Sequence, residues 1–202
     1  MRPLPSTSPP LGLRERKKIK LRRSVQSEAL RLFAEQGYED TTVEQIADAA
    51  DISTTTFYRY FPTKEDVVLD DDYDPILQHI IGGGDDEEPL VTTVRRAIAA
   101  VAAAVEEDRG AALARLKLLA TVPALKARQG AEGRKSVEFY IGMFSARSGR
   151  PAGDYQLRVT TAAFIAAQLE AARCWADTDG AEPLGRLLDD AVTLVEPLIA
   201  AL

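Results

Sequence analysis

The sequence predicts an all-α protein, a small three-helix head followed by a larger helical body. Three observations carry this. Apolar residues recur at spacings of three and four almost throughout, and no sustained alternation of period two appears. Helix caps and Gly/Pro breaks recur at helix-length intervals. The 202 residues are 46% hydrophobic and 28% charged, enough apolar material for a core in one or two domains.

Residues 1–13 are rich in Pro and Ser and read as a disordered leader. From 14 to about 36, Leu21, Val25, Ala29, Leu32 and Phe33 fall at helical spacing, and Gly37 is a C′ stop. Thr42-Val43-Glu44-Gln45 is a capping-box pattern, with Thr42 as N-cap and Gln45 reaching back. The helix it opens buries Val43, Ile46, Ala47 and Ala50. Asp51-Ile52 makes a tight turn, and Asp51 tolerates the left-handed backbone region better than most residues. Ser53 caps the next helix, which runs to about Phe61. Pro62 interrupts, and Thr63 caps a helix beginning at Lys64 and extending to about residue 80. Gly82-Gly83-Gly84 ends helical structure within a stretch of ten acids and no Lys or Arg, from Glu65 to Glu88. This stretch is a joint. Beyond it helices are expected at about 89–108, 111–121, 123–147, 152–177 and 183–201, separated by Gly110, Pro123, Gly149 with Pro151, and Gly180 with Pro183. The boundaries are therefore a leader over 1–13, a head over 14–63 and a body over 64–202.

One cysteine, Cys174, excludes a disulfide framework and a thiolate cluster. One histidine, His79, leaves no His-pair metal site, so no metal or cofactor is expected. Asp70, Asp71, Asp72 and Asp74 lack the loop glycine and terminal Glu of a calcium site. No nucleophile–base pair can be placed around His79, which argues against an enzyme. No apolar run is long enough to span a bilayer, and the basic N-terminus lacks the apolar core of a secretory signal. The cytoplasm is the expected compartment.

The net charge of −6 is unevenly spread. Residues 1–64 hold eleven Lys/Arg against eight Asp/Glu, whereas residues 65–202 hold fourteen against twenty-three. The densest basic run, Arg14 to Arg23, has seven basic residues and one acid. A basic head on an acidic body suits a polyanion at one end only. An architectural DNA binder is disfavoured because the acidic body repels DNA.

Two short helices joined by a turn of about three residues form a helix-turn-helix. At about 100° per residue, Thr56, Phe57, Tyr60 and Phe61 face one side of the second helix. Thr54, Thr55, Tyr58 and Arg59 face the other. Those groups can reach base edges and phosphates in a major groove, Arg59 being the candidate guanine contact.

The segment from about Arg14 to Val68 resembles the DNA-binding domain of the tetracycline-repressor (TetR) family. The matching residues are Leu32-Phe33, Gly37-Tyr38, Thr41-Thr42, Ile46-Ala47, Ile52-Ser53, Tyr58-Arg59-Tyr60-Phe61 and Lys64-Glu65. Two positions depart from the commonest pattern, Asp51 where glycine is frequent and Thr55 where a small residue is common. The resemblance implies that Thr42 and Glu44 lie at the groove edge. It implies that Ser53, Thr54, Thr55, Thr56, Tyr58 and Arg59 belong to the recognition element, and that Tyr60 and Lys64 hold phosphates. Tyr60 reads equally well as core, and Glu44 is better explained by the helix dipole.

For the body, the resemblance implies an all-helical effector-binding domain and a bacterial homodimer built from the last two helices, 152–177 and 183–201. The residues agree. The first has Ala162, Ala163, Ala166, Ala167, Ala171 and Ala172. The second has an apolar stripe of Leu184, Leu187, Leu188, Ala191, Leu194, Val195, Leu198 and Ile199. Such pairs can form a four-helix bundle, and two-fold symmetry suits a palindromic operator. Leu118, Phe139, Tyr140, Met143, Phe144, Phe164, Gln168 and Trp175 are candidates for an effector pocket, although any one of them is more simply core. Their apolar character points to a lipophilic effector.

The acidic joint, Pro123-x-Leu125, Trp175 and the Leu-rich last helix also resemble the subgroup related to the mycofactocin-system regulator. That implies an acyl-CoA-like effector, with Arg115, Lys117, Lys126 or Arg128 available to CoA phosphates. The expected function is a ligand-responsive transcriptional repressor. A ligand-independent regulator or an activator is the alternative.

Overall fold

The computed structural model describes residues 13–70, 73–84 and 87–202. The leader expected at 1–13 lies outside these apart from Leu13, and so do the side chains of Arg14 and Arg16. Among the described residues all regular structure is helical: α1 (Leu13–Gln36), α2 (Val43–Ala49), α3 (Thr54–Tyr60), α4 (Lys64–Leu69), α5 (Asp74–Gly82), α6 (Leu90–Glu107), α7 (Arg109–Thr121), α8 (Pro123–Ser148), α9 (Tyr155–Asp177) and α10 (Leu184–Ile199). The chain divides into two compact units, the first ending at Val67 and the second running from Val68 to Leu202.

The first unit is α1, α2, α3 and most of α4. Val25, Ala29 and Phe33 of the expected α1 face are buried, while Leu21 and Leu32 are only half-buried and Leu30 is buried beside them. Gly37 ends α1 at φ +90°, a value that a side chain would strain, and its amide reaches Phe33 O at 3.1 Å. The chain then returns so that Tyr38 stacks near Phe33, ring centroids 4.9 Å apart. Ile46, Ala47, Phe57 and Phe61 complete this core.

The helix expected from Lys64 to about residue 80 is two helices. α4 stops at Leu69 and α5 begins at Asp74, with Tyr73 as its N-cap and Pro75 in its first turn. Proline has no amide proton to continue the helical hydrogen-bond ladder but suits the first turn of a helix, so Pro75 favours a fresh start at α5 over one continuous helix. Three consecutive aspartates before it add like-charge repulsion. The glycine run acts as expected, with α5 ending at Gly82 and Gly83 as C-cap.

In the second unit α10 packs on α9 and α6, α5 on α6 and α8, and α7 on α8 and α9. Its core includes Leu77, Val94, Ile98, Ile141, Phe144, Leu157, Phe164, Trp175, Leu188 and Val192. Arg95 of α6 staples α10 through Asp189, Thr193 Oγ1 at 3.0 Å and Glu196 at 2.7 Å. The stripe read on α10 covers two faces. Leu184, Leu188, Ala191, Val195 and Ile199 are buried inside the unit, whereas Leu194 is 82% and Leu198 42% exposed. On α9, Tyr155, Val159 and Leu169 are also exposed. Among the described residues no helix is long and apolar enough to cross a membrane.

Candidate nucleic-acid interface and effector groove

The helix-turn-helix is assembled by local hydrogen bonds. Thr42 Oγ1 accepts from Gln45 N at 3.3 Å, and Thr42 N donates to Gln45 Oε1 at 2.9 Å. This is the expected capping box, closed in both directions. Gln36 of α1 donates to the same Gln45 oxygen at 2.9 Å, tying α2 to the end of α1. In the turn Asp51 adopts φ +53°, and Ile52 N reaches Ala47 O at 2.9 Å. Ser53 Oγ then accepts from Thr56 N at 3.1 Å as the N-cap of α3.

α3 has one anchored face and one open face. Phe57 and Phe61 are fully buried, with ring centroids 5.7 Å apart. Thr55 and Arg59 are exposed, Tyr58 is half exposed, and Thr54 is half-buried. Thr56 is half-buried, and its hydroxyl lies 3.0 Å from Ser53 Oγ. Tyr60 is half-buried, and the Arg59 guanidinium stands 5.2 Å from its ring. On α2, Thr42 and Glu44 are exposed. The ten candidate positions thus fall on one short stretch, with Thr55, Tyr58 and Arg59 the exposed ones on α3.

Two cations have internal work. Lys64 Nζ donates to Tyr38 O at 2.7 Å and Thr41 O at 3.0 Å, and sits 4.2 Å from the Tyr38 ring centroid. Arg22 Nη1 donates to Tyr60 O at 3.2 Å at the end of α3, and the guanidinium lies 4.7 Å from the Phe61 ring. Sequence reasoning placed Arg22 only in a basic run. Lys17, Lys18, Lys20 and Arg23 of that run are exposed on α1.

In the second unit, four of the eight pocket candidates form an aromatic cluster. Tyr140 lies 5.6 Å from Phe139, 6.5 Å from Phe144 and 5.7 Å from Phe164, centroid to centroid. Met143 and Trp175 are buried, the Trp175 indole donating to Glu182 O at 3.0 Å, and Leu118 is half-buried. Gln168 donates to Leu188 O at 3.3 Å, while its Oε1 is buried without a hydrogen bond.

An open groove of about 480 Å³ lies elsewhere, between α7, α8 and α9. Leu116, Leu119, Ala120, Ala166, Leu169 and Ala172 line its apolar part, and Lys126, Gln129, Glu170, Arg173 and Asp177 its polar part. None of the eight candidates is among them. Arg173 pairs with Glu170 and, at 2.6 Å, with Asp177. The Arg173 hydrogen bond holds the Glu170 carboxyl below its ordinary range, so both are charged at neutral pH. Lys126 has no ion-pair partner among the described residues. Of the other cations named for CoA phosphates, Lys117 pairs with Asp179, Arg128 is half-buried and Arg115 binds backbone carbonyls of α4. The groove residues recur at helical spacing on α7 and α9, but no local pattern shows that these two faces meet.

Comparison with known proteins agrees with both units. The profile for bacterial regulatory proteins of the TetR family matches residues 27–70, and that for the MftR C-terminal domain matches 88–200. The transcriptional regulator TcmR of Streptomyces glaucescens is 53% identical over 58 residues, 29% of this chain and 26% of that one. HbdR of Aromatoleum sp. is 47% identical over 47 residues, 23% of this chain and 20% of that one. The matches thus span about a quarter or less of those relatives. Among solved structures, FadR of Thermus thermophilus, a TetR-family repressor in complex with lauroyl-CoA, is similar at TM-score 0.58 and 22% identity, over 87% of this chain and 93% of that one. FadR of Bacillus subtilis with stearoyl-CoA gives TM-score 0.58 at 18% identity, over 86% and 96%. A regulator from Syntrophomonas wolfei gives TM-score 0.65 at 16% identity, over 90% and 95%. These likenesses, at such identities, speak for the fold. The two profiles together cover more than half of the chain, the helix-turn-helix included, and the chain belongs to the TetR family of transcriptional regulators, with a C-terminal domain of the MftR type.

Proposed function

We propose that the protein is a ligand-responsive repressor that binds a palindromic operator as a homodimer and is released by a lipophilic, acyl-CoA-like effector. The observation that carries the DNA reading is α3. Its buried Phe57 and Phe61 fix the helix, and its open face presents Thr55, Tyr58 and Arg59 to a groove. Arg59 reads a base, and the exposed lysines of α1 track the flanking backbone.

The exposed stripes of α9 and α10 are the dimer surface. Tyr155, Val159, Leu194 and Leu198 are apolar side chains that an isolated chain would leave in water. For the effector, the groove offers leucine and alanine walls with Lys126 at the rim. That combination suits an apolar chain ending in an anionic group. Two proteins of similar fold hold acyl-CoA, which supports the same ligand class here.

The test is fluorescence anisotropy with a duplex from upstream of the protein's own gene and a scrambled control, over a salt series. Selective binding saturating at two chains per duplex, and its release by acyl-CoA but not by free CoA, is the expected result. Equal weak binding to both duplexes, repeated with a duplex selected from random sequence, would overturn the reading.

A further inference from the structure

Helix α4 contains the boundary between the two units, which falls between Val67 and Val68. An α-helix leaves its last four carbonyls without intrahelical partners. In a helix of six residues that is most of them. Here three consecutive carbonyls are taken by side chains. Gln26 Nε2 donates to Val67 O at 3.2 Å within the first unit. Arg115 of α7 donates from Nε to Val68 O at 2.6 Å and from Nη2 to Leu69 O at 2.9 Å within the second. Asp70, Asp71 and Asp72 follow at once in the sequence. Negative charge there opposes the helix dipole, and the guanidinium supplies the opposite charge where it is favourable.

We propose that Arg115 is a positioning residue for operator recognition: by gripping Val68 O and Leu69 O it holds the last turn of α4 in one conformation. The inference rests on the regulator reading above. A dimer binds both half-sites only when each chain holds the conformation that fits them. An α4 that frays at its end spreads the chain over more conformations, and apparent affinity falls in proportion to the competent fraction. This holds although Arg115 never meets DNA. The next residue, Leu116, lines the groove, as does Leu119 one turn on. A ligand that shifts α7 therefore shifts the guanidinium with it, and the grip is a point at which binding in the groove is felt by α4.

The experiment compares the full-length wild type with Arg115→Leu and Arg115→Lys. A duplex selected by the wild type from random sequence is the probe, titrated by anisotropy over a salt series. Hydrogen exchange of the α4 amides and the melting temperature are measured in parallel. Arg115→Leu should bind about tenfold more weakly, as expected if about a tenth of the chains stay competent. The slope of log affinity against log salt should be unchanged, because no phosphate contact is lost. Exchange at the end of α4 should quicken. Arg115→Lys, which keeps the charge but not the two-pronged grip, should fall between.

Affinity of the leucine variant within twofold of wild type overturns the proposal, even if exchange quickens. So does a slope reduced by about one, which marks a phosphate contact. A leucine and a lysine variant that both lose binding only as the melting temperature collapses would make Arg115 a general stabiliser, and overturn it too. Failure of the wild type to select any sequence would overturn the regulator reading itself, and is seen in the wild-type arm alone.

Discussion

Replacing Lys64 with methionine tests what this residue does. Methionine keeps most of the aliphatic stem and removes only the ammonium. The wild-type ammonium donates to Tyr38 O at 2.7 Å and to Thr41 O at 3.0 Å, and lies 4.2 Å from the Tyr38 ring. A hydrogen bond from a charged donor contributes about 1.5–3 kcal/mol net when buried, and a cation–π contact at an exposed site about 0.5–1 kcal/mol. Lys64 is half-buried, so water can replace part of each bond. A loss of about 2–3 kcal/mol from the first unit follows. For a unit of this size each kcal/mol is worth ~4–8 °C, so its transition should fall by roughly 8–24 °C. The single tryptophan, Trp175, lies in the second unit, so its fluorescence follows that unit alone. Amide hydrogen exchange of α1 to α3 follows the first. The expected result is early exchange of the head with the tryptophan transition unmoved. If Lys64 instead works on a phosphate, head exchange will be unchanged and the salt slope of operator binding will fall by ~0.9. That outcome would refute the internal assignment.

Three further perturbations separate the remaining roles. Arg59→Ala should cost about 1–3 kcal/mol against the preferred duplex and relax discrimination at one base pair; an unchanged base preference in a selection experiment would exclude direct readout by Arg59. Ser53→Ala removes the acceptor of Thr56 N and should destabilise the first unit by about 1 kcal/mol, measured by urea unfolding; no change would mean that solvent caps α3 equally well. Leu194→Glu alters a side chain that is 82% exposed, so it should leave the folded chain intact and yield monomers in sedimentation, with operator affinity lost alongside. A variant that still sediments as a dimer would move the interface off α10.

The head could be read from sequence because its geometry is local. The capping box joins residues three apart, the turn needs one left-handed residue that Asp51 accepts, and the α3 cap is again a bond across three positions. Most body helices were legible for a similar reason, since Gly and Pro mark their ends: the helix placed at 123–147 is Pro123–Ser148. Gly110 is the exception: expected as a separator, it lies inside α7, and the break after α6 is made by Asp108, whose side chain accepts from Ala111 N as the N-cap of α7. Local reading failed where one residue outweighed a favourable pattern. The stretch after Lys64 looks helical throughout, yet Pro75 splits it into α4 and α5.

What the sequence does not show is which helical faces meet. Large aromatic residues attract a pocket assignment because they bury most surface. In the fold that same property packs Phe139, Tyr140, Phe144 and Phe164 against one another. The open groove is left where side chains are too small to fill it, among Ala120, Ala166 and Ala172. α10 makes the same point from the other side. Its eight apolar positions read as one stripe, but a helix packed in its own unit can bury an arc of only part of its circumference. Leu184, Leu188, Ala191, Val195 and Ile199 occupy that arc, and Leu194 and Leu198 are surplus to it. Leucines that the folded chain does not bury, on a helix that packs on α9 with its own exposed Tyr155 and Val159, are better evidence for a second copy than the stripe as a whole. Five of the eight residues of that stripe would be apolar in a monomer as well, because its own core needs them.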